Sequence, residues 1–309
     1  MAPFRFAVQA AGAADGKGWR DLARRVEGLG YCTLTVPDHF DGQWGPFTAL
    51  AVAAEVTTTL VVGALVLDND YRHPVHVAKE LATLDLISEG RVEAGLGAGW
   101  LQADYDAAGL GYDPPGVRIG RLAEALAIIK MLWSTGRADF AGRHYEVAGL
   151  QGAPMPYRPG GPPILIGGGG RRVLSLAGRK ADIVGFTTSL AEGVLGPGAA
   201  RGALSARFQE RVGWVRQAAG TRFAELELQL HTFAVLVMDD PEPVLAPVAA
   251  GFGLTVEEVR EVPMVLAGPV FALVETLQRR REEYGFSYIV IHDHEVDAFA
   301  PVVAALAGS

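Results

Sequence analysis

The segment RHPVHVAKELATLDLISEGRVEAGLGAGW, residues 72–100, contains a complete helix-to-strand unit and sets the pattern for the rest of the chain. His73 precedes Pro74, and the proline ring biases it to extended backbone just before a helix. Val77, Leu81 and Leu84 then recur at helical spacing. Arg91 to Leu96 reads as a strand that runs into Gly97, Ala98 and Gly99. A helix feeding a strand that ends on glycine is the repeating element of a parallel βα fold.

The same alternation extends in both directions. Upstream, Phe4 to Gln9 reads as a first strand, Trp19 to Leu29 as a helix stopped by Gly30, and Leu34 to Pro37 as a second strand. A helix opening on Pro46 runs to Val56, and Leu60 to Leu67 is a β-rich third strand. Downstream, Leu122, Leu126, Ile129 and Trp133 form the apolar stripe of a long helix. A short hairpin follows at 139–146, turning at Gly142, and then strands at Pro162–Ile166 and Ala181–Phe186 flank a helix at Arg171–Ala177. Ala206–Ala218 is helical, Leu226–Met238 reads as one long strand, and Pro269–Tyr284 is a helix stopped by Gly285. Phe286–His292 is the last strand and Ala298–Leu306 the closing helix. Eight strands with helices between most of them predict a (β/α)8 TIM barrel with insertions, one domain over residues 1–309, with a doubly wound open sheet as the alternative. Residues 188–203, rich in Gly, Ala and Pro, read as a mobile insertion loop.

Composition narrows the function. Half of the 309 residues are apolar and the formal net charge is −8, which argues against a nucleic-acid partner. The densest basic run, Arg279–Arg281, lies beside Glu282 and Glu283 and reads as a solvated helix face. Cys32 is the only cysteine, so no intrachain disulfide can form, and a reducing, cytoplasmic setting is expected. The opening MAPFRFAVQAAG reads as a strand instead of a signal peptide, and no apolar run is long enough to span a membrane.

In a barrel of this kind chemistry sits at the carboxyl ends of the strands. Those positions carry Asp38-His39, Asp68-Asn69-Asp70, Gly97-Ala98-Gly99, Gly167 to Gly170, and Thr187-Thr188. The glycines 167–170 let backbone N–H groups turn toward an anion at a helix start, a phosphate site, or else form a tight packed turn. His39 can exchange a proton near neutral pH, although an isolated Asp-His pair is more often a turn. His292 and His294 flank Asp293 without a third ligand at metal-site spacing, so no metal is expected. Neither G-x-S-x-G nor HExxH occurs, which leaves serine-hydrolase and zinc-protease chemistry without support.

PDHF at 37–40, the segment at 72–100, RLAEALAIIKMLW at 121–133, PILIGGGG at 163–170, ADIVG at 181–185 and ETLQRRREEYGFSYIVI at 275–291 together resemble the luciferase-like flavin and deazaflavin oxidoreductases. LVLDNDYRHP at 65–74 is most similar to the branch that uses coenzyme F420. The resemblance implies a cofactor ring across the top of the barrel with its phosphate at Gly167, Gly168, Gly169 and Gly170. It also implies a non-prolyl cis peptide at Ala64-Leu65 behind the ring, with Asn69, Ala98 and Gly99 completing the cofactor site. Asp38 and His39 fall at the redox-active edge and are expected to be catalytic, His39 as general acid or base.

Some positions depart from relatives. Trp100 stands where the family's sugar-phosphate dehydrogenases carry a glutamate, and their Lys/Arg pocket for substrate phosphate has no counterpart. Ala98 stands where the luciferase branch carries an arginine for the FMN phosphate, which favours the deazaflavin. The resemblance therefore implies hydride transfer between deazaflavin C5 and a small, less charged organic substrate, with Trp44 and Trp100 as substrate walls or ordinary packing. One alternative is an FMN-dependent monooxygenase fed by a partner reductase, and another is a non-enzymatic flavin-binding paralogue. A flavin or F420 reductase and a second copy in a homodimer are the expected protein partners.

Overall fold

Strand β1 (Arg5–Gln9) pairs in parallel with β2 (Thr33–Val36) on one side and with β13 (Phe286–His292) on the other, so the two ends of the chain close the sheet on itself. The ring is completed by β3 (Val61–Ala64), β5 (Val92–Gly97), β8 (Ile164–Gly168), β9 (Ile183–Phe186) and β10 (Glu227–His231). All these pairings are parallel, and the result is an eight-stranded (β/α)8 barrel. The computed structural model describes residues 2–188 and 201–309. Most of the loop expected at 188–203 therefore lies outside the described residues.

Alternate residues of each strand face the barrel interior, and their chemistry changes with height. At the amino-terminal end Arg5 pairs with Glu93 and, at 2.7 Å, with Glu227, while the Tyr288 hydroxyl donates to Glu93 at 2.8 Å. Above this ionic layer Ala7, Leu165, Ile183 and Val290 form an apolar one. The top layer is small and polar, with Gly97, Gly167, Gly185, Gln9, Gln229 and His231. That change opens a cavity at the carboxyl ends of the strands.

The helical shell follows the sequence pattern closely. Leu122, Leu126, Ile129 and Trp133 are all buried on α5 (Pro115–Thr135), and the Trp133 indole donates to Ala78 of α3 (Pro74–Ile87) at 3.0 Å. Gly285, in left-handed backbone at φ 88°, ends the helix Val270–Tyr284. The expected hairpin is present as antiparallel β6 (Arg137–Ala141) and β7 (Glu146–Gln151). Glu124 fixes its tip by accepting from the N–H groups of Arg143, His144 and Tyr145 at 2.9–3.1 Å.

Two strands break where the sequence suggested continuity. The third stops at Ala64 and resumes as β4 (Leu67–Asp68), because the Leu65-Val66 peptide is cis. The expectation of Ala64-Leu65 was one residue early. Leu65 N–H still donates to Val36 O at 3.0 Å, so the ladder holds the chain through that amide and releases it only afterwards. The segment expected as one strand at Leu226–Met238 is β10 followed by β11 (Ala234–Val237). Thr232 donates both its N–H and its hydroxyl to Val290 O, and Phe233 N–H then turns to Met264 O at 2.7 Å. β11 consequently pairs with β12 (Val265–Gly268) in a separate two-stranded sheet. The sequence reading had also passed over the helices Gln102–Ala108, Glu242–Phe252 and Val256–Glu261.

Candidate active site

The barrel mouth holds a cavity of about 820 Å³ bounded by residues that follow all eight barrel strands. His39, Trp44, Leu65, Ala98, Gly99, Trp100 and Gly167 to Gly170 all line it, as does Asp38 at its edge. Ala64 and Asn69 are not among the residues that line it. Ala64 is buried with its carbonyl against Gly95, where a Cβ would come within 1.8 Å of it. Asn69 is also buried and spends its amide on the Tyr145 hydroxyl at 3.1 Å.

His39 sits just beyond β2, where the chain leaves the sheet. Its Nδ1 lies 2.6 Å from Oδ2 of Asp104, a buried carboxylate that also accepts from the Tyr71 hydroxyl at 3.1 Å. The Trp100 ring meets the imidazole edge-on at 5.6 Å. With Nδ1 committed to Asp104, Nε2 is the nitrogen left for a ligand. Asp104 stands in the first turn of the helix Gln102–Ala108, which begins two residues after Trp100. A short helix after a glycine turn carries little periodicity, and this partner was invisible in the sequence for that reason.

Asp38, adjacent in sequence, is turned away to another task. Its carboxylate is gripped by both terminal nitrogens of Arg72, with Nη2 at 2.9 Å from Oδ1, and it accepts the Asp68 N–H at 3.0 Å. Adjacent residues of an extended chain point to opposite sides, and here one serves the cavity and the other ties β2 to β4. Asp68 is itself buried and receives the Tyr105 hydroxyl and the Asp70 N–H. Burial, reinforced by the neighbouring Asp70 and Asp38 charges, pushes its carboxyl up to about 6.

The glycines have distinct causes. At Gly97 a Cβ would lie 2.5 Å from the Val66 side chain, and at Gly169 it would lie 2.0 Å from Thr188 O, so both are needed for close packing. Gly168 is similarly closed by Val173 at 2.4 Å. Only Gly170 of that run faces open space, and it precedes the helix Arg171–Lys180 without a side-chain cap. A free helix amino terminus at the rim suits an anion such as a cofactor phosphate. Gln9 reaches across from β1 and donates from Nε2 to Leu65 O at 2.8 Å, fixing the carbonyl of the cis peptide at the cavity wall. Trp44 packs on Trp19 at 5.6 Å, in space that Gly12 leaves by lacking a Cβ.

Among the described residues that line the cavity, Arg118 is the sole Lys or Arg, and each of its three nitrogens already makes one hydrogen bond to the wall. It donates to Gly99 O, to Asp113 O at 2.9 Å and to the Tyr112 hydroxyl at 3.1 Å, shaping the Gly99 turn. Gln229, His231 and His292 complete the far wall and were not singled out as cavity residues from the sequence. The signal was present in ELQLH at 227–231, where polar residues alternate on a strand that has no solvent-facing side.

The family model for luciferase-like monooxygenases matches residues 1–195. An F420-dependent glucose-6-phosphate dehydrogenase of Amycolatopsis mediterranei is 31% identical over 188 residues, 57% of this chain and 55% of that protein. Its counterpart in Mycolicibacterium fortuitum is 32% identical over 182 residues, 56% of this chain and 53% of the relative. The chain thus spans about half the length of the curated relatives it matches. In solved structures, the F420-dependent tetrahydromethanopterin reductase of Methanopyrus kandleri superposes with a TM-score of 0.77 at 17% identity, covering 99% of this chain and all (100%) of that one. A monooxygenase from Streptomyces bottropensis does so at 0.73 and 17%, covering 97% and 99%. At that identity the likeness establishes the barrel and no more, whereas the family match covers well over half of the sequence. This chain belongs to the luciferase-like monooxygenase family.

Proposed function

We propose that the protein is a coenzyme F420-dependent oxidoreductase acting on a small, neutral alcohol or carbonyl compound. The observation that carries the reading is the His39–Asp104 pair at the mouth of a cavity floored by glycines and the Leu65-Val66 bulge. The names of the curated relatives favour F420 over FMN. The site fits such a group: Gly170 and the uncapped helix behind it can take a phosphate, and Gly97, Gly167 and Gly185 line the cavity with bare backbone against which a planar ring could lie.

The bound cofactor would supply a hydride acceptor or donor at its ring. The chain's own part is the proton. Asp104 holds Nδ1–H of His39, leaving the Nε2 lone pair free to take the hydroxyl proton as an alcohol carbon gives up hydride. In the reverse direction Nε2–H returns that proton to the carbonyl oxygen. Trp44 and Trp100 would wall the substrate and exclude water from the exchange. Arg118, the one Lys or Arg among the described residues lining the cavity, is drawn into shaping the Gly99 turn, and no cluster of cations lines the cavity there to receive a substrate phosphate. This favours an uncharged substrate over a sugar phosphate, and a flavin or F420 reductase is the expected supplier of reduced cofactor only if turnover runs toward carbonyl reduction.

Titration of the purified protein with F420 and with FMN, read by fluorescence and absorbance, tests the reading. Saturable F420 binding at least tenfold tighter than FMN is expected. Preference for FMN would transfer the protein to the oxygen-using branch.

A further inference from the structure

Gln229 is 0% exposed on β10, yet it lies at the floor of the cavity, and neither its Nε2 nor its Oε1 has a hydrogen-bond partner. Two residues on, facing the same way, His231 leaves its Nε2 unpartnered as well. A buried amide with both ends unmade leaves its desolvation uncompensated, and Gln229 is the one side chain among the described residues with two such atoms, so its place on the cavity wall calls for a ligand. Gly185 explains how one could arrive. Its missing Cβ would lie 3.1 Å from Gln229 Oε1 and 3.4 Å from Gly167 Cα, so the two glycines form a smooth wall leading to the amide.

The charge state of this corner is fixed by its surroundings. Burial, with His292 beside it at 5.0 Å between ring centroids, pushes His231 down to about 3, so the imidazole is neutral at any physiological pH. No Lys or Arg among the described residues contacts either side chain. A primary amide presents one donor and one acceptor side by side, and its complement is a planar edge with C=O next to N–H.

We propose that Gln229 and His231 form a neutral anchor for an uncharged amide- or imide-type edge of a ligand held in the barrel. Flavins and deazaflavins carry the same pyrimidinedione edge, so the inference shares with the functional reading only the premise that the cavity binds a ligand. The edge can belong to the cofactor ring or to the second substrate.

Gln229→Met, close in shape and unable to pair, separates these. One arm titrates the ligand-free protein with F420 and with lumichrome, a tailless neutral flavin ring, by fluorescence quenching. The other follows succinimide binding to F420-loaded protein by saturation-transfer NMR. A loss of about tenfold or more in lumichrome and F420 affinity assigns the anchor to the ring, and the same loss confined to succinimide assigns it to the substrate. The ligand-free variant should melt no lower than the wild type, because an unpartnered polar group has been removed. Should it fail to fold, Gln229→Leu, slightly shorter and equally unable to pair, is expected to show the same losses. Wild-type affinity for every probe in a folded variant, or no probe binding to the wild type, overturns the anchor. If the wild type ignores F420 yet binds lumichrome in a Gln229-dependent way, the F420 reading fails and the anchor stands.

Discussion

Replacing Asp104 by asparagine tests whether His39 is a proton-transfer group held in one tautomer. The 2.6 Å contact to Nδ1 is a partly buried, charge-assisted hydrogen bond, a class worth about 1.5–3 kcal/mol against about 0.5–1.5 for a neutral one. Asparagine keeps the shape but loses the charge, and its NH2 can stabilise the tautomer with the proton on Nε2. The difference of about 1–2 kcal/mol corresponds to a fall in kcat of roughly 5- to 30-fold. His39→Ala, which removes the group altogether, should cost about 10²-fold or more. Tyr71→Phe, which deletes only the 3.1 Å support of Asp104, should cost less than about threefold. The assay follows deazaflavin absorbance with the best substrate from a panel of neutral alcohols and ketones, alongside F420 affinity and ¹⁵N NMR of the imidazole. The losses should rank His39→Ala, then Asp104→Asn, then Tyr71→Phe, with F420 affinity nearly unchanged, and the Nδ1–H tautomer should be lost in Asp104→Asn. Wild-type kcat in Asp104→Asn, or a fall in F420 affinity equal to the fall in kcat, would refute the reasoning.

Three further outcomes follow from other parts of the site. Arg72→Met strands the Asp38 carboxylate and should lower stability by about 2–3 kcal/mol in urea unfolding, the partial exposure of the guanidinium keeping the loss below that of a fully enclosed pair; adding Asp38→Asn should restore most of it. With Asp38 tied to Arg72 and the Asp68 N–H, and His39 the proposed proton carrier, Asp38→Asn alone should cost far less kcat than His39→Ala. Asp68 titrates at about 6 in the fold against an ordinary 3.8, so the native state takes up the proton first; its ionised form costs stability fully above pH 6 and nothing below about pH 4. Asp68→Asn should therefore stabilise the protein by up to about 3 kcal/mol at pH 7.5 and scarcely at pH 4, and an equal effect at both would count against a buried carboxylate. Gly169→Ala drives a Cβ to 2.0 Å from Thr188 O and should weaken folding and F420 binding together, whereas Gly170→Ala meets open space and should leave the melting temperature unchanged.

The barrel was legible because its elements are local. The stripe Leu122, Leu126, Ile129 and Trp133, the stop at Gly285 and the strand at 91–96 each announce themselves within a dozen residues, and βα repeats place sequential neighbours side by side. The candidate site was legible only where it consists of strand ends. His39, Trp44, Trp100 and the glycines were found by position, and all reach the cavity. Asn69 and Ala64 stand outside the lining, since being near the end of a strand does not say which way a residue points. One side chain in that turn is claimed by Tyr145, and the chain at Ala64 is still held in the ladder.

What the sequence hid is of a different kind. Asp104 meets His39 across 65 positions, and Arg72 meets Asp38 across 34. No periodicity records a pairing between side chains on separate turns, since each partner reads locally as an ordinary polar residue on a helix or loop. Gln229 and His231 are the instructive case, because their signal is local after all. In a sheet covered on both faces, alternating polar residues have no water to face, so they must pair with one another or with a ligand. At the lower end of the barrel Arg5, Glu93, Glu227 and Tyr288 pair with one another, and that layer is closed. Two and four residues up the same strand, on the wall where Gly167 and Gly185 withdraw, Gln229 and the Nε2 of His231 find no protein partner. Polar alternation on an inner strand therefore marks a structural layer where it is answered from across the barrel and a binding layer where glycines stand opposite it. By that criterion β10 carries both.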